Sequence, residues 1–433
     1  MYNFLNDLFK RFSAESVRYV ILRNYEGLPG SNSSKDIDIG ILRRDLRVVH
    51  KILLNAAKKC GFTHYIVHKW YTIYCYTFYS PAETIKIDVI VGFQNRGRII
   101  ISDRELILQR RSKNGFYIPD EVHEAAILIL KSLFTGRPFV EKYAIKVKEV
   151  IRIKEVCLKV ILQRVLPRDL TNNIIKRIQI GAPLRLERKL YISYMLSYVK
   201  AMFNSPLGFL LNLTLHIISE LLKFFDRAYI IAVLGPDGSG KSTFAHNLKK
   251  KLVEKLKISE DKVIYFHFRP AILPNLGALF GRKSYQDSIP YTKPPASYFS
   301  SFFRLMYYCA DFIFGYFVKV LPQKRNYSFF IFDRYAHEFV CDPYRSRIRL
   351  PLTIRKAIFY FVPKPVCTFI LIANPEIILA RKKELSFEQV VKLNASYQRL
   401  ESKNVYFLDA SFDPDQLTEN ACKIIFKAIG KKL

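Results

Sequence analysis

The rhythm of apolar positions changes twice along the chain. From Val17 to about Asp120, short apolar runs at Tyr19–Leu22, Asp36–Leu42, Tyr71–Tyr79 and Thr84–Val91 are separated by Gly, Asn and Ser turns. That pattern predicts strands, with a helix over Asp45–Lys59 between them. From Glu121 to about Asp226 the apolar spacing becomes helical, as in Val122–Phe134, Val147–Val165 and Lys189–Met202, and the strand signal disappears. From Ala228 onward, the runs Tyr229–Leu234, Val263–Phe268, Phe329–Phe332, Val366–Ile372 and Val405–Leu408 alternate with helical stretches. Strands alternating with helices predict a parallel sheet with helices on both faces. The expected organisation is a small α/β domain over residues 1–120, a helical segment over 121–227 and an α/β domain over 228–433.

Composition supports globular domains. Hydrophobic residues make up 50% and aromatics 14% of the 433 residues, which excludes a disordered or fibrous chain. The seven cysteines are scattered without a C-x-x-C pair, an arrangement that argues for a reducing compartment and against structural zinc. Met1–Phe12 carries Asp7, Lys10 and Arg11 among its apolar residues, so it reads as an amphipathic helix, and a cytoplasmic location is expected. The longest uncharged run, Ala201–Ser219, contains Pro206, Gly208, Asn204, Asn212 and His216, which disfavour a lipid core. It is expected to pack on its own domain, with a position on a membrane surface as the alternative.

Charge narrows the partners. The net charge is +32 and is spread along the chain, with 32 basic and 17 acidic residues in 229–433 alone. Such a field attracts polyanions: nucleotides, nucleic acid, anionic glycans or acidic lipid headgroups. No zinc finger, RNP motif or DNA-reading helix selects nucleic acid from these.

The sharpest chemical signal is Gly235-Pro-Asp-Gly-Ser-Gly240-Lys241-Ser242-Thr243, which fits G-x-x-x-x-G-K-[ST] between a buried strand and an amphipathic helix over Thr243–Lys255. Gly235, Gly238, Ser239 and Gly240 let the backbone wrap an ATP phosphate chain at a helix N-terminus. Lys241 would reach the β and γ phosphates, and Ser242 would place its hydroxyl on Mg²⁺. Asp333, ending the run Phe329–Phe332, supplies the acidic group such a metal needs; the alternative is an aspartate capping a turn beside Arg334.

These residues resemble thymidylate kinases. The loop, the triplet Asp333-Arg334-Tyr335, the cluster Arg381-Lys382-Lys383-Glu384 and the closing Leu408-Asp409-Ala410-Ser411 occur in that family's order over most of residues 228–433. The resemblance implies that Asp237 sits by the acceptor's sugar hydroxyl, that Arg334 holds the acceptor phosphate with Tyr335 at the mouth of the site, and that Arg381 to Lys383 form a basic lid. Charge neutralisation during phosphoryl transfer calls for such cations, although a run of this kind also makes a solvated helix face. The chain departs from the family at Leu234, where an acidic residue is usual, at Phe312, and over Ala336–Arg345, which replaces the base-reading segment. Arg269-Pro270 stands where an arginine-containing loop is expected, making Arg269 a further acceptor-binding candidate.

In the first domain, Asp36 and Asp38 lie at strand spacing on one face and Asp88 lies on another strand, so together they can hold a divalent cation. Solvent-facing aspartates on edge strands are the alternative. The set resembles the nucleotidyltransferase fold over roughly residues 15–120, with Gly30-Ser31 close to the pair and Leu22-Arg23-Asn24 where a glycine turn is expected.

Three functions follow as expectations. The leading one is an ATP- and Mg²⁺-dependent kinase acting on a nucleoside monophosphate or another small phosphorylated acceptor. The others are a nucleotidyltransferase with a regulatory P-loop domain, and a nucleotide-gated protein binding an anionic polymer or membrane surface. Any of them is compatible with a homo-oligomer.

Overall fold

The computed structural model describes residues 2–28, 30, 36–95, 98–135, 141–182, 184, 192, 195, 198–199, 206–222, 228–274, 294–324, 328–382, 385–400 and 402–433. Most of the expected helix Lys189–Met202, together with Ser31, Lys35, Lys383 and Glu384, lies outside the described residues. The chain divides into two compact units, Met1–Lys223 with Lys432–Leu433, and Phe224–Lys431.

The first unit is built on a mixed sheet ordered β1-β2-β5-β4-β3, from β1 (Tyr19–Ile21), β2 (Ile37–Ile41), β3 (His64–Lys69), β4 (Ile73–Tyr79) and β5 (Thr84–Ile90). Only the β2·β5 pairing is parallel. Side chains alternate across a strand, and both faces are covered. Tyr19, Ile21, Ile37, Ile39 and Ile41 pack under the helices Tyr2–Ala14 and Leu46–Lys59. Val20 and Leu22 join a second core built from the helices Glu121–Thr135, Glu141–Gln163 and Arg168–Gln179. The helical segment therefore shares its core with the sheet, and its face of β2 is the one that carries Asp38.

Strand β3 and two short ribbons, β6·β7 (Phe93–Asn95 with Arg98–Ile101) and β8·β9 (Arg110–Lys113 with Phe116–Pro119), have no counterpart in the expected pattern. Their periodicity is weak. Strand β3 carries His64, His68 and Lys69, and the ribbons are only three or four residues long per strand.

The second unit is an all-parallel sheet ordered β11-β12-β10-β13-β14, from β10 (Tyr229–Leu234), β11 (Val263–His267), β12 (Phe329–Asp333), β13 (Cys367–Ile372) and β14 (Val405–Asp409). Helices flank both faces, as the alternation predicted. Ile230, Ala232 and Leu234 share a core with Leu305, Cys309 and Phe312 of the helix Tyr298–Gly315 and with Tyr397 of the helix Phe387–Gln398. On the other face the helices Lys241–Leu256 and Pro414–Ile429 pack together, and Phe244 meets Phe369 edge-on. The chain leaves the central strand β10 toward β11 and later returns to β13 on its other side. This reversal opens a crevice at the strands' C-terminal ends, where ligands bind in open α/β sheets.

Candidate functional site

At the C-terminal end of β10 the backbone turns through Gly235 to Gly240 into the helix Lys241–Leu256. Gly235 has φ +139°, and a Cβ there would lie 2.4 Å from the carbonyl oxygen of Leu371. Gly238 has φ +88° and presses on the helix Pro375–Arg381 at Ile378. A side chain would push the loop off the sheet at Gly235 and off the helix at Gly238, so both glycines are required by the fold of the loop itself.

Lys241 is buried, its Nζ donating to the carbonyl of Pro236 at 2.5 Å, with Asp237 at 3.7 Å. Burial, reinforced by Arg334, pulls its pKa down to about 7. The lysine thus holds the loop closed on its own carbonyl, positioned to exchange that partner for an anion.

Register brings the acidic group to the loop. β10 and β12 pair with Val233 opposite Asp333, and β11 and β12 pair with His267 opposite Asp333. Ser242 Oγ donates to Asp333 Oδ2 at 2.5 Å and Tyr265 OH donates to the same oxygen at 2.9 Å, while His267 Nδ1 lies 3.8 Å away. Burial raises the Asp333 pKa, but the nearby His267 and the hydrogen bonds from Ser242 and Tyr265 outweigh it and hold the carboxylate ionised far below its usual range. Asp333 Oδ1 is buried and has no hydrogen-bond partner. An ionised, buried carboxylate with an orphan oxygen beside a serine hydroxyl fits a hydrated Mg²⁺ ion, and Ser242 and Asp333 are the residues that would hold it.

Behind the loop, Arg334 is buried with φ +75°, its N–H donating to the carbonyl of Val233 at 2.8 Å. An arginine rarely adopts this backbone, which aims the side chain back over the loop. Its guanidinium pairs with Asp237 and donates to Glu338 at 3.2 Å. Arg345 pairs with the other oxygen of Asp237. Burial pushes the Asp237 pKa up, but Arg334, Lys241 and Arg345 overcome it and bring the pKa to about 2. Glu338 is anchored by Tyr397 OH at 2.8 Å.

The other expected residues fall as follows. Arg381 ends the helix Pro375–Arg381 with Nη1 4.0 Å from where a Gly240 Cβ would stand, and it reaches the carbonyl of Ala410 at 3.5 Å. Arg269 forms an ion pair with the buried Asp311 at 3.1 Å and lies over the ring of Tyr308. Ser239 is buried in the loop and Thr243 is exposed on the first helical turn. Tyr335 lies in the core, donating its hydroxyl to the carbonyl of Pro363 at 2.6 Å, and so stands away from the mouth of the crevice. The sequence pattern does not mark Tyr265, His267, Glu338, Arg345 and Tyr397. Apart from the i,i+4 pair of Arg334 with Glu338, their roles depend on strand order and on chain crossings that no local pattern encodes.

In the first unit, carboxylate oxygens of Asp36, Asp38 and Asp88 lie within 4.8 Å of one another, and the parallel β2·β5 register sets Asp38 opposite Asp88. Asp38 is buried, and its Oδ1 has no hydrogen-bond partner. Arg23 pairs with Asp38 and lies 3.5 Å from Asp36, and Lys131 Nζ is 3.6 Å from Asp38. Burial raises the Asp38 pKa, yet Lys131 and Arg23 keep it low. Burial and then Asp38 push Asp88 up to about 6. The carboxylates fit a divalent cation, with Arg23 standing as an internal competitor for it.

No protein-family model matches the chain. Over 205 residues, 46% of this chain and 97% of the relative, it is 25% identical to a Saccharolobus solfataricus protein described as "Probable thymidylate kinase 1". A solved structure of thymidylate kinase from Ehrlichia chaffeensis matches 46% of this chain and 99% of its own at 14% identity, with a TM-score of 0.32. Through that relative the chain bears a weak and partial relationship to thymidylate-kinase-like proteins, over 46% of its length.

Proposed function

We propose that the Phe224–Lys431 unit is an ATP- and Mg²⁺-dependent phosphotransferase that moves the γ-phosphoryl group to a small phosphorylated acceptor. The observation that carries this reading is the contact between Ser242 and Asp333, which joins the phosphate loop to the neighbouring strand and leaves one ionised oxygen of Asp333 unpaired. A Mg²⁺ ion held there supplies charge neutralisation for the phosphates. The chain's own residues do the rest. Loop N–H groups and the helix N-terminus receive the phosphate chain, and Lys241 exchanges the Pro236 carbonyl for phosphate oxygens. Arg381, beside Gly240, offers a cation for charge developing on the transferring group. Arg334 and Arg345, both drawn to Asp237, present cations to the acceptor phosphate, and Glu338 with Tyr397 fixes the angle of Arg334.

The acceptor side favours something other than thymine. Ala336–Arg345, which stands in place of the base-reading segment, includes a short helix, Glu338–Cys341, whose Phe339 is buried in the core against Tyr308 and Phe268. The segment's Glu338 and Arg345 are engaged by Arg334 and Asp237, so it does not offer these side chains to a base, and hydrogen bonds of that kind are what discriminate between bases. Incubating the protein with Mg²⁺, γ-labelled ATP and a panel of nucleoside monophosphates and sugar phosphates tests the reading. Label should move to one class of acceptor, and no transfer to any would refute it.

One observation favours a second reading. The Asp36–Asp38–Asp88 cluster, with its orphan oxygen, supports nucleotidyl transfer in the first unit, with the P-loop unit regulating it. Pyrophosphate release from ATP, lost in Asp38→Asn and retained in Lys241→Ala, distinguishes the two.

A further inference from the structure

The helix Tyr298–Gly315, continued to Val320 by a π-helical turn, is apolar on two opposite sides. One side enters the core through Leu305, Cys309 and Phe312. The other presents Phe299, Phe303, Met306, Phe314 and Phe317, which recur at steps of three and four with Ala310 completing the stripe. They are between 45% and 76% exposed. The segment's two charged side chains before Lys319 lie off this stripe, with Arg304 flanking it and Asp311 buried on the inner side. The helix Leu352–Phe359 packs against the same helix and is followed by Tyr360 and Phe361, which are 75% and 73% exposed. An exposed aromatic stripe of this kind on a folded domain marks a surface that another apolar phase covers.

Charge selects the phase. Among the described residues of 294–365, every acidic side chain (Asp311, Asp333, Glu338 and Asp342) is buried. Arg349, Lys356 and Lys364 are exposed, and Arg304, Lys319 and Arg347 reach solvent. Arg349 lies over the ring of Tyr298 at 5.3 Å and Lys364 over Phe359 at 3.6 Å, so cations border the aromatic surface directly. Two copies of this face would set like charges against each other. A bilayer bearing anionic headgroups accepts the aromatic stripe at the acyl boundary and the bases at its phosphates.

We propose that this face docks the protein in the plane of an anionic lipid bilayer. Among the described residues, one helix, Tyr298–Lys324, is long and apolar enough to cross a membrane. Its inner side argues for lying on the surface instead. Asp311 is fully buried there, holding Arg269 and the N–H groups of Ala271, Ile272 and Leu273, and a spanning helix would have to expose that carboxylate to hydrocarbon. Docking requires nothing of the phosphate loop and is independent of the phosphotransfer reading.

The test is co-sedimentation of the full chain with vesicles of phosphatidylcholine alone and of phosphatidylcholine with added phosphatidylglycerol. Binding is expected on the anionic vesicles, weakened by salt and reduced about tenfold or more in F299Q/F303Q, whose exposed rings can be replaced without opening the core. ATP turnover of the variant in solution should be unchanged, which separates a lost surface from a lost fold. Failure of the wild type to partition onto anionic vesicles, or equal partition of the variant, would overturn the proposal. So would a dimer in sedimentation equilibrium that the same substitutions dissociate, since the face would then belong to a second copy.

Discussion

The hydroxyl of Ser242 and the carboxylate of Asp333 meet at 2.5 Å although 91 positions separate them in sequence. The pairing of β12 beside β10 makes the contact, because it sets Asp333 level with Val233 at the strand ends where the loop begins. Asp333→Asn keeps the shape and removes the charge. We expect Mg²⁺-dependent ATP turnover to fall by about a hundredfold or more, with unchanged far-UV circular dichroism. Retention of turnover within a fewfold of wild type would detach Asp333 from the chemistry.

Asp237 makes the arginine cluster beside the loop pH-sensitive in a defined direction. Its folded pKa of about 2 lies below the ordinary 3.8, so the stabilisation it provides is fully present above pH 4 and is lost as pH falls toward 2. The shift corresponds to about 2 kcal/mol. Asp237→Asn should therefore lower the unfolding free energy by about that amount at pH 7, leaving Arg334 and Arg345 facing each other without their shared anion. In urea titrations, the gap between wild type and variant should narrow below pH 4. A gap that does not change with pH would show that packing, not charge, is what the substitution removes.

In the first unit, Mn²⁺ added to the nucleotide-free full chain should bind with a heat that Asp38→Asn removes, because three converging carboxylates call for a cation. Arg23 already neutralises part of that charge. Arg23→Gln should tighten Mn²⁺ binding about tenfold or more, as expected when a competing charge within ion-pair distance is withdrawn. A calorimetric signal indifferent to both substitutions would place the metal elsewhere.

Much of the second unit was legible because its strands are short apolar runs, the central ones almost fully buried. Tyr229–Leu234 has the bounds its pattern predicted, and the loop after it is a local motif in which each residue's use follows from its neighbours. The rest of the site was not local. Tyr265 and His267 read as ordinary positions of an apolar strand until β11 is placed next to β12, and Arg345 becomes a partner of Asp237 only through a contact 108 positions away. Tyr335 misled by adjacency. It follows a charged site residue, but the left-handed backbone of Arg334 turns the chain, and the tyrosine ring enters the core against Phe312 and Phe332. In the first unit the acidic positions were visible, whereas Lys131 beside Asp38 was not, since the helix that carries it packs over the strand only in the folded unit.

The segment Ala336–Arg345 bears on acceptor choice, because its Glu338 and Arg345 are engaged by Arg334 and Asp237. Thymidine monophosphate should be a poor substrate, with kcat/KM well below the ~10⁴–10⁸ M⁻¹s⁻¹ typical of enzymes on their own substrates. Steady-state kinetics across the acceptor panel decide this. A value within that range, and the highest of the panel, would mean that the Ala336–Arg345 segment reads thymine by contacts other than the side-chain hydrogen bonds expected of it.

The most direct test follows the two ends of the nucleotide separately, using ATP labelled at the α or the γ phosphate with wild type and Lys241→Ala. The γ label should pass to a phosphorylated acceptor while the α label stays in ADP, and in the folded Lys241→Ala protein transfer should fall by about a hundredfold or more. An α label that reaches the acceptor with release of pyrophosphate, or γ transfer that survives loss of the lysine, would contradict phosphotransfer at this loop.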